Sequence, residues 1–405
     1  RRRDDPRDRP HGGRFLMSAE TYDVVVIGGG IHGVGVAQAA SAAGYSVLLI
    51  ERQGIASGTS SRSSKLIHGG LRYLETAQFG LVRESLRERE ILLRIAPELV
   101  HRVPFYIPVY ASTRRRPWMI RSGLALYALL GGLARGTGFE SVPRTQWYDL
   151  DGLESRGLRA VFRYDDAHTD DAALTRAVMR SAQKFDAELR CPANFLSAKR
   201  IDDGFGVHYL ADGEERSCRA RTLVNAAGPW VNIVLDRITP RPATLPVELV
   251  QGAHIILEGE TRRGVYYVEA PRDGRAVFVM PWKGHTLVGT TETPYEGDPA
   301  AVGARPEEIE YLQETLRHYF PQQRGPLQDS FAGLRVLPHA AGPVFRRSRE
   351  TVLHPDNPGQ VRLVTVYGGK LTGYRATAVK VMRLLQHTLP VRAARADTAQ
   401  TLLSP

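Results

Sequence analysis

Apolar positions along this chain change period several times, and each change predicts an element. Val24-Val25-Val26-Ile27 is a short continuous apolar run, the pattern of a strand buried on both faces in a parallel sheet. An alanine-rich stretch running to about Ala43 reads as a helix, Gly44-Tyr45 as a turn, and Ser46 to Ile50 as a second strand. From Leu81 to Ala96 a charged helix is predicted, ending before Pro97, with its acidic and basic residues on a solvated face. An apolar strand follows between Arg102 and Tyr110. Thr222–Asn225 is another, and Ala226-Ala227-Gly228-Pro229-Trp230 turns sharply after it. Short alternating segments at Ala253–Leu257, Val265–Val268, Ala276–Pro281 and Thr286–Gly289 predict an antiparallel sheet, with turns at Arg272-Asp273-Gly274 and Lys283-Gly284. Glu307–Phe320 reads as a helix stopped by Pro321, and Val361–Val366 as a strand before Gly368-Gly369 and a helix from about Leu371 to Leu389. There are no internal repeats and no long linkers.

The turn between the first strand and the first helix carries chemistry. Gly28-Gly29-Gly30-Ile31-His32-Gly33 fits G-x-G-x-x-G. The first glycine permits the tight turn, the second lets a pyrophosphate approach the backbone, and the third lets the helix pack closely on the sheet. Glu51 ends the second strand, near the expected spacing of about 20 residues for an acid that binds ribose hydroxyls. In this strand–helix–strand–acid context the motif predicts a dinucleotide site of the Rossmann type.

Composition narrows the remaining possibilities. A chain of 405 residues that is 42% apolar can bury a large core and is expected to form two domains. The two cysteines, Cys191 and Cys218, provide neither a disulfide framework nor a metal-ligand spacing, as in a reducing cytosol, and no metal is expected. A formal charge of +11 favours anionic partners such as acidic lipid or phosphorylated metabolites. No interleaved basic and aromatic residues accompany it, so nucleic acid is not an expected partner.

After Glu51 a run of small hydroxyl residues, Ser57-Gly58-Thr59-Ser60-Ser61-Arg62-Ser63-Ser64, leads into Lys65-Leu66-Ile67-His68-Gly69-Gly70-Leu71-Arg72-Tyr73-Leu74-Glu75. This stretch resembles the signature of FAD-dependent glycerol-3-phosphate dehydrogenases, within the D-amino-acid-oxidase-like flavoproteins. Further blocks match in the family's order from about residue 20 to 390: Thr169-Asp170-Asp171-Ala172, Asn225–Val231, Gln251–His254, Gly289-Thr290-Thr291-Glu292, Ala332–Arg335 and Tyr367–Thr372. The resemblance implies an α/β fold, a Rossmann-type FAD-binding domain with an inserted α+β substrate domain on a mostly antiparallel sheet. Residues 17–95, 160–235 and 330–390 are assigned to the FAD-binding domain, 96–159 and 236–329 to the substrate domain, and 391–405 to a C-terminal tail.

Site residues follow from the same resemblance. FAD is expected against Gly28, Gly30, Gly33, Glu51, Ser60, Ser61, Ser64, Gly69, Gly70, Gly228, Gly369, Lys370 and Leu371, bound noncovalently, although some relatives attach flavin at the position of His68. The substrate sn-glycerol 3-phosphate is expected against Arg72, Tyr73, His254, Arg335, Arg349 and Lys370, since fixed cations suit a phosphate. Arg349 shares its loop with Arg346 and Arg347. His254, Arg335 and Lys370 are the expected catalytic groups. His254 is the expected base because imidazole titrates near working pH, with Lys370 or water as the other acceptor. A helix start at Gly368-Gly369 would favour negative charge on the reduced flavin. The implied reaction oxidises the C2 hydroxyl to dihydroxyacetone phosphate and passes electrons to a quinone.

Residues 1–16 are charged, with proline and glycine and no apolar period, and are expected to be disordered, with Met17 as the biological start. The uncharged part of Ser122–Arg135 falls short of the roughly 20 residues that span a bilayer. Beside Arg114–Arg116 and Trp118, the segment Pro117–Ala134 suits a membrane interface or a helix packed on the protein itself, and both readings stand. A cytoplasmic enzyme, peripheral on the membrane and a homodimer, is one expectation. Two alternatives remain in view. One is an oxidase or dehydrogenase of a hydroxy or amino acid, with Arg335 on a carboxylate. The other is a flavin-binding subunit without turnover, suggested by the missing helical C-terminal domain of longer family members.

Overall fold

The computed structural model describes residues 20–132, 138–339 and 350–405. The expectations for residues 1–16 and for Met17 fall outside them. Strand β1 (Thr21–Ile27), helix α1 (Ile31–Ala42) and strand β2 (Val47–Ile50) form the predicted unit, with β1 and β2 parallel and in register from Val24↔Val47 to Ile27↔Ile50. Val24, Val25, Val26, Leu48 and Leu49 are fully buried, which explains an apolar run with no polar alternation. Helix α1 is buried along almost its whole surface, and its small residues allow this. A Cβ on Gly33 would stand 1.9 Å from the Gly28 carbonyl oxygen, so only glycine lets the helix come so close to the strand end.

Among the described residues the remaining helices are α2 (Phe79–Ile95), α3 (Pro117–Leu130), α4 (Asp171–Lys184), α5 (Val231–Leu235), α6 (Pro306–Tyr319) and α7 (Tyr374–Leu385). Among the described residues, two sheets carry the fold, one of nine strands and one of ten. In the first, strand Glu214–Asn225 lies parallel to β1 on one side and to strand Leu363–Tyr367 on the other, with α1, α4 and α7 packed against the same core. The second sheet is mostly antiparallel. It holds the long pairs Val100–Tyr110 with Leu158–Thr169 and Val247–Leu257 with Leu327–Pro338, and the predicted hairpin through Lys283-Gly284. The α/β architecture with an antiparallel second sheet matches expectation.

Three details differ. The sequence boundaries at 160 and 330 each cut a strand of the second sheet. Leu158–Thr169 pairs along its length with Val100–Tyr110, and Leu327–Pro338 with Val247–Leu257, so these strands are held by ladder hydrogen bonds that local sequence does not reveal. The last helix starts at Tyr374 rather than Leu371, because Gly368 (φ +69) and Gly369 (φ +119) are left-handed and the chain needs one more turn. Residues 391–405 fold back on the domain. Arg395 and Ala396 N–H donate to the Ala42 carbonyl, and Leu403 is buried with its N–H on the Ile95 carbonyl at 2.7 Å.

Helix α3 buries Ile120, Leu124, Tyr127 and Ala128 and exposes Trp118, Met119 and Leu129. Residues 133 and 134 of the expected segment lie outside the described residues. Of the neighbouring arginines, Arg115 is paired with Glu75 and Glu269, whereas Arg114 and Arg116 are exposed. No helix among the described residues is long and apolar enough to cross a membrane.

Candidate active site

A cleft of about 440 Å³ runs from the carboxyl ends of β1 and β2 to the face of the second sheet. Crevices at the carboxyl ends of parallel strands are the usual ligand position in such folds. Gly28, Gly29 and Gly30 line the cleft beside Glu51. The Glu51 carboxylate is fixed by the Gly29 N–H (2.7 Å) and the Gln53 N–H (2.7 Å). The Ser60 hydroxyl accepts from the Ile31 N–H at 2.9 Å, which ties the hydroxyl-rich loop to the start of α1. Farther along the cleft come Gly228, Gly70, Ser64, Gly369, Lys370 and Leu371, all expected. The cleft thus extends from Glu51 at one end to Arg335 and Lys370 at the other.

Three expected residues stand off the cleft. Gly33 packs against the Gly28 carbonyl, as described above. The Ser61 hydroxyl donates to the Gly58 carbonyl (3.2 Å), and its own carbonyl accepts from Lys65 Nζ (2.5 Å). Gly69 is walled in by Leu86 and Tyr127 and donates its N–H to the Tyr127 hydroxyl at 2.8 Å. None of the three lines the cleft: Gly33 seats α1 on the end of β1, and Ser61 and Gly69 are held by contacts within the protein. Arg349 lies outside the described residues.

The second sheet supplies the other end of the site. His254 and Arg335 come from neighbouring strands, with His254 opposite Phe331 and Val250 opposite Arg335. Gly252 clears a path for the Arg335 side chain, because a Cβ there would lie 3.0 Å from its Nη2. Arg72 and Tyr73 sit on the short helical turn Leu71–Thr76, entered through Gly70 at φ +77. Arg72 Nη2 is 3.5 Å and Arg335 Nη1 3.4 Å from the same oxygen of Glu292. Lys370 Nζ stands 3.7 Å over the Tyr73 ring. The site therefore gathers Arg72, Tyr73, His254, Arg335 and Lys370 from widely separated parts of the chain.

His254 is buried, stacked on Phe331 (centroids 4.9 Å apart) and joined through Nε2 to the Ser64 hydroxyl at 2.9 Å. Burial, with Arg335 and Lys65 adding positive charge, lowers its pKa to about 3. Burial and these charges therefore favour the neutral imidazole and place its ionisation below the range expected from the sequence. Burial and the adjacent Arg72 likewise lower Arg335 to about 10, so the pair of guanidinium groups favours an anion.

Other contributors carried no role in the sequence reading. Glu292 and Thr290 belong to a recognised block, yet their convergence on Arg335 depends on sheet pairing. Asp171 binds Lys65 Nζ (2.7 Å) and the Ser63 hydroxyl (2.6 Å), anchoring the serine-rich loop, while Asp170 caps α4 through the Ala173 N–H. Tyr127 and Asp166 lie outside every recognised block. The Tyr127 hydroxyl donates to Asp166 at 2.6 Å while accepting from Gly69. Among the described residues no cluster of His, Cys, Asp and Glu could hold a metal ion.

The family profile described as FAD dependent oxidoreductase matches residues 23–377. The chain is 38% identical over 387 residues to a D-erythritol 1-phosphate dehydrogenase of Brucella abortus, covering 93% of this chain and 76% of that protein. It is 40% identical over 380 residues to a glycerol-3-phosphate dehydrogenase of Pseudomonas aeruginosa, covering 91% of this chain and 72% of the relative. A crystal structure of the Bacillus halodurans glycerol-3-phosphate dehydrogenase complexed with FAD superposes with a TM-score of 0.74 at 27% identity, covering 96% of this chain and 68% of that one.

Proposed function

The chain belongs to the FAD-dependent oxidoreductase family, and from that premise we propose that it oxidises sn-glycerol 3-phosphate to dihydroxyacetone phosphate. One observation carries the reading: two guanidinium groups converge beside a buried, neutral imidazole at the end of a cofactor-sized cleft. Bound in that cleft, FAD supplies the hydride acceptor. Arg72 and Arg335 hold the substrate phosphate, with Arg349 as a further candidate clamp. Arginine suits this task because its planar fork matches phosphate oxygens. His254 accepts the proton of the C2 hydroxyl, its ring oriented by Ser64 and Phe331. The phosphate dianion offsets Arg335, which strengthens the imidazole as a base when substrate is present. Lys370, whose Nζ stands over the Tyr73 ring, completes the group of residues around the substrate.

The test is anaerobic. Glycerol 3-phosphate should bleach the flavin of the FAD-loaded protein, and glycerol should not. A protein that keeps its colour under substrate excess is not this dehydrogenase.

A second reading has specific support in the D-erythritol 1-phosphate dehydrogenase relative. The same cations would hold a longer phosphorylated polyol, and the same titration with D-erythritol 1-phosphate ranks the two substrates.

Quinone is the acceptor we propose. The exposed Trp118, Met119 and Leu129 of α3, with Arg114, Arg116 and Arg121 beside them, would meet an acidic lipid surface on the cytoplasmic side. A homodimer is the assembly we propose, to be checked by sedimentation.

A further inference from the structure

Glu292 has no place in the mechanism above, yet it touches both substrate cations. It follows strand His285–Gly289, its side chain is 7% exposed, and it lines the cleft. Its Oε1 lies between Arg72 Nη2 (3.5 Å) and Arg335 Nη1 (3.4 Å). Its backbone carbonyl is fixed by Arg275 Nη1 at 3.0 Å. The backbone behind the carboxylate is therefore held, while one carboxylate oxygen bridges two like charges.

The length of those contacts matters. Charge-assisted N–H···O bonds are strongest at about 2.7–2.9 Å, and an Arg–carboxylate pair at its best is bidentate. Here neither guanidinium is engaged through a fork, because a single oxygen serves both at long range. The bridge offsets the repulsion between Arg72 and Arg335 and leaves their donor edges available to an entering anion. A phosphate that takes those edges stands close to Glu292 and is repelled by it.

We propose that Glu292 is a built-in counter-anion that holds the Arg72–Arg335 pair between turnovers and weakens the grip of that pair on phosphate. This rests on the reading of the pair as the phosphate clamp. An uncompensated clamp would bind any phosphate tightly, whether free phosphate or the phosphorylated product, and both would then leave slowly. Glu292 competes with them for the same donors. Substrate affinity at this position is thus limited by a charge the protein itself provides.

The experiment is calorimetric titration of the FAD-loaded protein with inorganic phosphate, for wild type, Glu292→Gln and Glu292→Asp. Removing one negative charge a few ångströms from a bound dianion should tighten phosphate binding by about tenfold or more in Glu292→Gln, since the pair interacts in a partly desolvated site. Glu292→Asp keeps the charge and should stay within about threefold of wild type, a difference below 1 kcal/mol. The KM for glycerol 3-phosphate should fall in Glu292→Gln in parallel with the phosphate constant, a change that mere loss of packing does not produce. Phosphate binding that is unchanged or weaker in Glu292→Gln overturns the counter-anion role while leaving the clamp intact. Absence of phosphate binding in wild type and both variants overturns the clamp and this inference together.

Discussion

The state of His254 gives the sharpest test of the chemistry. Burial and the positive charges of Arg335 and Lys65 lower its pKa from 6.5 to about 3. At pH 6 the protonated fraction of the free enzyme is then on the order of 0.1%. The sign is fixed by the direction of the shift: a base with a lowered pKa is ready to accept a proton at every pH above that value, and loses the ability only below it. The bound flavin should therefore be reduced by substrate with no imidazole ionisation across about pH 5–9 in the free-enzyme profile. One ionisation near pH 6 is expected from the substrate phosphate itself, whose second pKa is about 6. That one must survive in every variant. His254→Gln keeps a polar group facing Ser64 and removes the proton acceptor, so the reduction rate should fall by about 10²–10⁴-fold. That loss corresponds to roughly 3–5 kcal/mol of barrier. Anaerobic stopped-flow at saturating and subsaturating glycerol 3-phosphate reads both quantities, after FAD occupancy has been matched. An ionisation between pH 6 and 7 that disappears in His254→Gln would refute the neutral-imidazole argument. A variant rate within a few-fold of wild type, with the chemical step limiting, would remove His254 as the base and leave Lys370 or water.

Gly289→Ala would place a Cβ 2.1 Å from the His254 ring, so the imidazole must move; flavin reduction should slow by about 10²-fold with FAD still bound, as read in the same stopped-flow experiment. Tyr127→Phe leaves the buried Gly69 N–H without its acceptor and takes one donor from Asp166. The melting temperature should fall by an amount reflecting about 1–3 kcal/mol, and KM should rise because Gly69 leads into Arg72 and Tyr73; a full melting-temperature loss with unchanged KM would separate the loop from the helix. If α3 meets anionic lipid through Arg114, Arg116 and Arg121, flotation with anionic vesicles should decrease as salt rises, and equal binding to neutral vesicles would exclude the electrostatic contribution.

Legibility in the sequence tracks the range of the interactions that fix each element. The unit Tyr22–Glu51 is readable because its cause is local: a fully buried strand, a turn requiring glycine, and a helix of small residues. The hairpin at Lys283-Gly284 is readable for the same reason. The expected boundaries at 160 and 330 fall inside strands whose pairing partners are distant in sequence, which local patterning does not show. His254 stands out in the sequence as a residue, but the lowering of its pKa does not, since it comes from burial and from Arg335 and Lys65, none of it adjacent in the chain. Glu292 was visible inside its block, but Arg72 lies 220 residues away from it. No pattern along the chain states that two arginines will share one carboxylate oxygen.

The hidden part of the design is concentrated in buried polar groups that hold the substrate loop. Arg89 and Asp166 are buried and paired at 2.7 Å, and Asp166 also accepts from Tyr127, which accepts from Gly69. Helix α2, helix α3, the long strand Leu158–Thr169 and the loop bearing Arg72 thus meet at one carboxylate. A buried carboxylate is stable only when its acceptors are satisfied, so the position of each element constrains the others. In the sequence, Asp166 is one acid among 43 Asp and Glu residues and Arg89 one base among 54 Lys and Arg residues, so composition gives neither any distinction. What distinguishes them is desolvation, which exists only after the sheets and helices have closed around them. The same closure lowers the pKa of His254 and brings Arg72 to Glu292. The chemical end of the cleft is therefore a consequence of tertiary packing, whereas the nucleotide end at Gly28 and Glu51 is a consequence of local backbone geometry.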